Sequence, residues 1–369
     1  MKIPLADLNE QHKNLKQEIE QAIANVVNKS NFILGEEVAK FEQEIQKYFS
    51  AKFAIGVASG TDALVLSLMC FNLKQTDEVI TTPFTFIATA EAITRAGAKP
   101  VFCDIDSATY NINLDEIEKK ITSKTRGIVV VHLYGMPAEL DKVKKIAEKH
   151  KLFLIEDCAQ SFGADFNGKK AGTFGEAGCL SFFPAKTLGA LGDGGMIITD
   201  REDIADKVRM FRNHGTAKKY YYKMHGFNSR LDTLQAAILN IKLKYIDKWI
   251  TLRIEKAKYY NKLLAAVKNI VIPVIPTLPT KHGFNYYTVA VKNNKRNALM
   301  DELSKNDIAC AVYYPLCLHL QEVYMSLGYK KGDFKTAEGL QEEVLSLPMY
   351  PELSLESIDK ICSVIKNAV

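Results

Sequence analysis

A lysine that follows an apolar run and leads into glycines is placed to do chemistry. Leu180-Ser181-Phe182-Phe183-Pro184-Ala185-Lys186-Thr187-Leu188-Gly189 precedes Gly192-Asp193-Gly194-Gly195. An amine desolvated at such a point loses its proton and condenses with an aldehyde to a Schiff base. Taken alone, Lys186 also reads as a surface or structural lysine, because most lysines are exposed. Asp157, in Ile155-Glu156-Asp157-Cys158-Ala159-Gln160-Ser161, ends a second apolar run. A carboxylate there needs a partner, since an unpaired buried charge is costly. A protonated pyridine nitrogen would supply one, and the pairing would keep the ring charged and able to draw electrons. A helix cap after the strand is the equal alternative.

Two further segments could serve a ligand. Phe53 to Val57 runs into Ala58-Ser59-Gly60-Thr61-Asp62-Ala63-Leu64 and an apolar helix. The first N–H groups of a helix point outward unpaired and favour an anion, so Gly60 and Thr61 could seat a phosphate. A plain Ser/Thr cap explains the same residues. In Thr82-Pro83-Phe84-Thr85-Phe86-Ile87-Ala88-Thr89, the Phe86 ring could stack on a planar group or pack in the core.

The elements that must position these residues follow from the apolar pattern. Short β-branched runs predict strands at 53–57, 78–81, 99–103, 127–131, 152–155, 179–183 and 195–199, many of them separated by helical stretches such as 140–150. Near-continuous apolar strands alternating with helices predict a mainly parallel sheet covered on both faces. The last two strands have no full helix between them, which predicts an antiparallel pairing. One long helix or a broken pair is expected over 230–265. Pro273, Pro276 and Pro279 then mark a change, after which strand 286–291 and helix 296–305 suggest a smaller unit. The expected organisation is α/β, with a large domain over 1–245 and a small C-terminal α/β domain over 246–369.

Composition narrows the function class. The 369 residues are 47% hydrophobic and 25% charged, ordinary for a globular protein. The net charge of +5 comes with no basic stripe interleaved with aromatics, so no nucleic-acid partner is expected. No apolar run of membrane-spanning length occurs and the N-terminus lacks a signal-peptide core, so neither membrane insertion nor export is expected. Seven scattered cysteines without a CxxC pair predict neither disulfides nor a metal site and fit the cytoplasm.

Phosphate turn, stacking aromatic, Asp and Lys occur in one order along the chain. With them, and with Asn228-Ser229-Arg230-Leu231-Asp232, the sequence resembles the nucleotide-sugar aminotransferases of the DegT/StrS family. The resemblance runs from Ile3-Pro4-Leu5 to Leu345-Ser346-Leu347-Pro348. It implies the pyridoxal-phosphate-dependent type I aminotransferase fold with a mainly parallel seven-stranded sheet. It assigns Gly60, Thr61 and Ser181 to the cofactor phosphate, Phe86 to the face of its ring, Asp157 to the pyridine nitrogen and Gln160 to the ring hydroxyl. Lys186 becomes the catalytic lysine that carries the cofactor. Asn228 reaches the phosphate from the partner subunit of a homodimer with shared active sites. The implied reaction moves an amine from an amino acid, glutamate, to a nucleotide-linked keto-sugar, in deoxyamino-sugar and glycan or lipopolysaccharide biosynthesis. Relatives with histidine at the lysine position deoxygenate sugars instead, so Lys186 points to transamination.

The position aminated is less firmly marked. The stretch from Arg212 to Asp232 resembles enzymes that aminate C-3 of dTDP-3-keto-6-deoxyhexoses, with C-4 amination of a dTDP- or UDP-4-keto-sugar as the alternative. A sugar diphosphate needs cations or N–H donors, for which Lys219 and Arg230 are the candidates, with Tyr221 and Tyr314 near the sugar. Tyr313 stands where relatives often carry histidine. A non-catalytic, cofactor-binding regulator on the same fold remains a rival, since fold does not dictate function.

Overall fold

The structure is a computed structural model and describes residues 2–369. Seven strands form the main sheet: β1 (Phe53–Val57), β2 (Glu78–Thr81), β3 (Lys99–Phe102), β4 (Thr125–Val131), β5 (Phe153–Asp157), β6 (Ala177–Ser181) and β7 (Gly195–Thr199). Their order across the sheet is β1-β7-β6-β5-β4-β2-β3. β7 runs antiparallel to both neighbours. The remaining pairs are parallel.

Both faces of the sheet are covered, and the alternation of the strands shows how. Ala54, Leu180, Met196 and Ile198 belong to one core cluster, while their neighbours Ile55, Cys179 and Ile197 belong to another. Adjacent strand residues point to opposite faces, so two clusters from one set of strands mean two buried faces. Helices α1 (Leu8–Lys29), α2 (Glu36–Phe49) and α4 (Thr233–Leu243) close the first face, and α3 (Gly60–Met69) closes the second. In α2 the stripe Val38, Phe41, Ile45 and Phe49 recurs at helical spacing and is buried. Truncating Phe41 to alanine there would cost about 3–5 kcal/mol.

Besides β4, which begins at Thr125 rather than at 127, three strands differ from their sequence-predicted ends. β5 continues through Asp157, so this carboxylate lies inside the last ladder step, opposite Val131. β6 covers Ala177–Ser181 rather than 179–183, because its pairing with β7 ends at Ser181 opposite Gly195. Phe182 and Phe183, though apolar, enter a tight loop in which Lys186 N–H donates to the Phe183 carbonyl (2.8 Å) and Ala190 N–H to Phe182 (2.8 Å). The third is β3, which stops at Phe102. The helix expected over 230–265 is a broken pair, α4 and α5 (Ile246–Leu264).

The C-terminal part builds its own antiparallel sheet from β8 (Ile270–Val271), β9 (Tyr287–Val291) and β10 (Val344–Leu347). Val289, Val291, Leu345 and Leu347 pack with Tyr260 and Leu264 of α5 and with Ile3 from the N-terminus. A further cluster, including Phe84, Phe102 and Tyr134 with Ala290, Leu318 and Phe334, joins this part to the main sheet. Among the described residues no helix is long and apolar enough to cross a membrane.

Candidate active site

The carboxyl ends of β5 and β6, the start of α3 and the loop after β6 converge. Ligands bind at such strand ends in open α/β sheets. Ser59 caps α3 by accepting the Asp62 N–H at 3.1 Å, so the capping reading of this turn holds. The cap leaves the N–H groups of Gly60 and Thr61 with no partner among the described residues. Gly60 lies against Ser181, where a Cβ on the glycine would sit 3.0 Å from the serine Oγ. Two free N–H groups, a hydroxyl and a helix N-terminus thus face one spot, the donor set that suits a phosphate.

Asp157 is buried, and among the described residues no cation lies within ion-pair distance of it. Its Oδ2 accepts the Thr89 hydroxyl at 2.8 Å and its Oδ1 the Ala159 N–H at 3.1 Å. Burial pushes its carboxyl pKa up, against the pull of those donors and of Lys186. A carboxylate in this state gains by meeting a cation. Lys186 stands on the loop beyond the adjacent strand. Burial lowers its pKa to about 8, against the opposing charge of Asp157.

Gln160 links this centre to a wall of aromatics. Its Oε1 accepts the Tyr134 N–H at 2.7 Å and its Nε2 donates to the Tyr314 hydroxyl at 3.0 Å. That pairing fixes the carboxamide and leaves one N–H free. The Tyr314 ring lies 6.2 Å from Phe86, which is 55% exposed. A large ring so exposed at the end of a buried strand is offered to a ligand. The structure therefore brings together Gly60, Thr61 and Ser181 at one end and Asp157, Lys186, Gln160, Phe86 and Tyr314 at the other.

The remaining candidates lie on an arm. Lys219 and Tyr221 are exposed in a small hairpin, Thr216–Lys218 with Tyr221–Tyr222. Asn228 is exposed and bridges Asn213. Its neighbour Ser229 is buried and donates to Asp62 at 2.6 Å, which moors the arm to the first turn of α3. Arg230 donates to the Asn213 Oδ1 at 3.0 Å, while its buried Nε has no partner among the described residues. Lys219, Tyr221 and Asn228 all lie on the exposed surface of the single chain.

Sequence reasoning missed the layer behind Asp157. Glu156 accepts N–H groups of Gly172 (2.7 Å), Phe174 (2.7 Å) and Gly175 (2.9 Å), and meets His132 Nε2 at 3.0 Å. Burial works against its ionisation, but His132 and the N–H donors outweigh it and hold its pKa below the ordinary value. His132 Nδ1 accepts the Ala138 N–H at 3.1 Å. Cys158 completes a group whose ligand atoms lie within 4.8 Å of one another. The oxygens of Glu156 are already committed, and burial keeps the Cys158 thiol protonated, so the group acts as scaffold. Thr89 was equally invisible as a partner of Asp157, although it lies four positions after Thr85, whose hydroxyl stands 3.1 Å from its own.

Residues 13–366 match the DegT/DnrJ/EryC1/StrS aminotransferase family. The chain belongs to this family. This DegT-family protein is 47% identical to a pleiotropic regulatory protein of Geobacillus stearothermophilus, over 96% of this chain and 95% of the relative. It is 40% identical to a UDP-N-acetyl-3-dehydro-alpha-D-glucosamine 3-aminotransferase of Acidithiobacillus ferrooxidans, over 100% and 98%. It is also 40% identical to a dTDP-3-amino-3,6-dideoxy-alpha-D-galactopyranose transaminase of Aneurinibacillus thermoaerophilus, over 99% of each chain. Among solved structures, DesV of S. venezuelae in complex with a ketimine intermediate superposes with a TM-score of 0.96 at 35% identity, covering 99% and 98%. Ntda of Bacillus subtilis with bound cofactor PMP gives 0.90 at 31%, covering 99% and 83%. The DegT-family protein is an aminotransferase, and its cofactor is pyridoxal 5′-phosphate. The residues of the site fit that group: free N–H donors for its phosphate, an exposed ring for its face, a cation-seeking carboxylate and a deprotonatable lysine.

Proposed function

We propose that this aminotransferase moves an amino group from an amino acid, glutamate, to C-3 of a nucleotide-linked keto-deoxysugar, a dTDP-3-keto-6-deoxyhexose. The observation that carries the reaction type is Lys186, its ammonium destabilised by burial, on the loop that follows the strand next to the one ending in Asp157, whose charge acts on it. The C-3 assignment draws on the two sugar aminotransferase relatives at 40% identity, both named for a 3-amino product or a 3-dehydro substrate. One takes a UDP sugar and one a dTDP sugar by name, so the nucleotide base follows from the resemblance alone.

Pyridoxal phosphate, when bound, supplies an electron sink for charge developing at the amine-bearing carbon. In this reading Gly60, Thr61 and Ser181 bind its phosphate, Phe86 orients the ring and Gln160 bonds the ring hydroxyl. Asp157 accepts the pyridine N–H and holds that proton in place, with its own orientation set by Thr89 and Ala159. Lys186 moves a proton between the amine-bearing carbon and C4′ as general base, for which a pKa of about 8 is well matched. Arg230, Lys219, Tyr221 and Tyr314 hold the sugar nucleotide.

We further infer a homodimer in which Asn228 completes the partner's phosphate site. The support is an exposed arm, with Tyr220, Tyr221, Tyr222 and Phe227 all on the surface of the single chain. We divide the chain near residue 245, between α4 and α5. The cytoplasm suits its seven unpaired thiols.

A regulatory reading has one observation in its favour, the name of the relative at 47% identity. Incubation of the protein with glutamate, cofactor and separate dTDP- and UDP-keto-sugars decides. A new amine at C-3 by NMR is the expected result. An amine at C-4 corrects the position, and cofactor binding without amine transfer to any sugar favours the regulator.

A further inference from the structure

The loop that carries Lys186 is held by a residue from the C-terminal part. Asn285 lies two positions before β9 and is buried. Its Oδ1 accepts two hydrogen bonds from Thr187, one from the backbone N–H at 3.1 Å and one from the hydroxyl at 3.3 Å. Thr187 adjoins Lys186 and is itself buried. Among the described residues the Nδ2 of Asn285 makes no hydrogen bond of ordinary geometry, although the amide lies near enough to the Tyr286 hydroxyl to favour its ionised form. The carboxamide is thus used twice as an acceptor and its buried donor is only weakly matched, which costs free energy. A native group in that condition calls for a reason.

An aspartate would be the easier acceptor at this position. It has the same shape, both its oxygens accept, and it has no N–H to strand. The amide differs from it chiefly in charge. A carboxylate beside an amine stabilises the ammonium and delays loss of its proton. The charged surroundings make this difference matter. Asp157 is the charged group that already favours the protonated form of Lys186. Nothing else packed around Asn285 adds to it. Burial holds Tyr286 un-ionised and pushes His282 down to about 3, hence neutral. The Tyr313 ring lies 4.5 Å from that of Tyr286, tilted by 38°. Arg253 donates to the carbonyls of Phe284 (3.1 Å) and Met349 (3.0 Å). On the far side of the loop, Lys242 donates to the Gly189 carbonyl at 2.6 Å.

We propose that Asn285 is a positioning residue for Lys186, fixing its loop through Thr187 while adding no negative charge to that loop. The proposal rests on Lys186 as the cofactor-bearing lysine. Asn285→Asp keeps the acceptor and adds the charge, and Asn285→Ala removes the acceptor. Each variant is loaded with pyridoxal phosphate and titrated with base while the visible absorbance of the bound cofactor is followed, since that band reports the proton on the linked lysine nitrogen. Asn285→Asp is expected to move the midpoint upward by about one pH unit. An unmoved midpoint in a folded Asn285→Asp protein overturns the proposal. Should that variant fail to fold, Asn285→Ala decides through the rate at which apoprotein and cofactor become covalently linked. Roughly tenfold slowing, with cooperative thermal unfolding retained, supports positioning. An unchanged rate overturns it. Borohydride fixation and peptide mapping of the wild type separate the two layers. Label on another lysine sinks the site reading itself, whereas label on Lys186 with an unmoved midpoint sinks only the role of Asn285.

Discussion

Gly60 and Ser181 are in such close contact that a Cβ on the glycine would stand 2.5 Å from the serine Cβ. Native Cβ atoms do not approach so closely, so the first turn of α3 and the end of β6 can meet only if residue 60 lacks a side chain. Gly60→Ala must push one element off the other and open the proposed phosphate cradle. The fold, whose cores lie deeper, is expected to survive. Affinity of the apoprotein for pyridoxal phosphate should fall about tenfold or more, roughly the loss of one or two charge-assisted hydrogen bonds. An absorbance titration measures it, and an unchanged Kd would put the phosphate elsewhere.

Asp157→Asn tests the electrostatics at the other end. The amide keeps the shape and can still meet Thr89, but it offers no charge to hold a pyridine proton. Turnover should drop about a hundredfold or more while circular dichroism and melting stay near wild type. Near-normal kinetics would make the carboxylate structural.

A pH profile examines Lys186 directly. The free amine is the working base, and burial lowers its pKa to about 8 from the usual lysine range. Protonation wins below that value, so kcat should climb roughly tenfold per pH unit up to about 8 and level above it. A profile that is flat between mildly acidic and mildly alkaline pH contradicts general-base action by this amine.

Arg230 and Lys219 address the nucleotide end. Arg230 has an unmatched buried Nε, and Lys219 is exposed on the arm. Arg230→Gln and Lys219→Gln should raise KM for the nucleotide sugar roughly tenfold and leave the glutamate half-reaction unchanged. Equal damage to both half-reactions would assign the two cations to the fold or to the cofactor.

Subunit mixing tests the shared site. Lys186→Ala and Asn228→Asp chains, each inactive alone, are allowed to exchange. Sites built from two chains would restore one intact site per mixed dimer, so activity should approach about a quarter of wild type. Proven exchange without recovery would place both residues in the same chain's site.

What the sequence disclosed follows its physics. Strands β1, β2 and β7 were readable to the residue because β-branched runs end there at turn-forming residues. The end of β6 was not, because Phe182 and Phe183 prolong the apolar run and only the ladder step from Ser181 to Gly195 stops it. Lys186, Asp157 and Gly60 were visible because each sits where a strand runs into a loop or helix. Thr89, the Glu156–His132 pair and Asn285 were hidden for the opposite reason. Their meaning lies in partners far along the chain, and no local pattern encodes Thr187 as the target of Asn285. The antiparallel β7 was anticipated from the missing helix before it, whereas its insertion between β1 and β6 was not.

That insertion governs when the enzyme can come into being. Phe53 pairs with Thr199 and Val57 with Gly195, so β1 has no sheet neighbour until β7 emerges. At roughly 5–20 residues per second the wait is on the order of ten seconds. Gly60 follows β1 and Ser181 precedes β7, so the two halves of the proposed phosphate cradle are held together only once β7 has emerged. Until then the nascent chain is unable to capture its cofactor. Free pyridoxal phosphate should protect the finished chain against a chaperone or protease, and leave a ribosome-bound chain halted before β7 as vulnerable as it was.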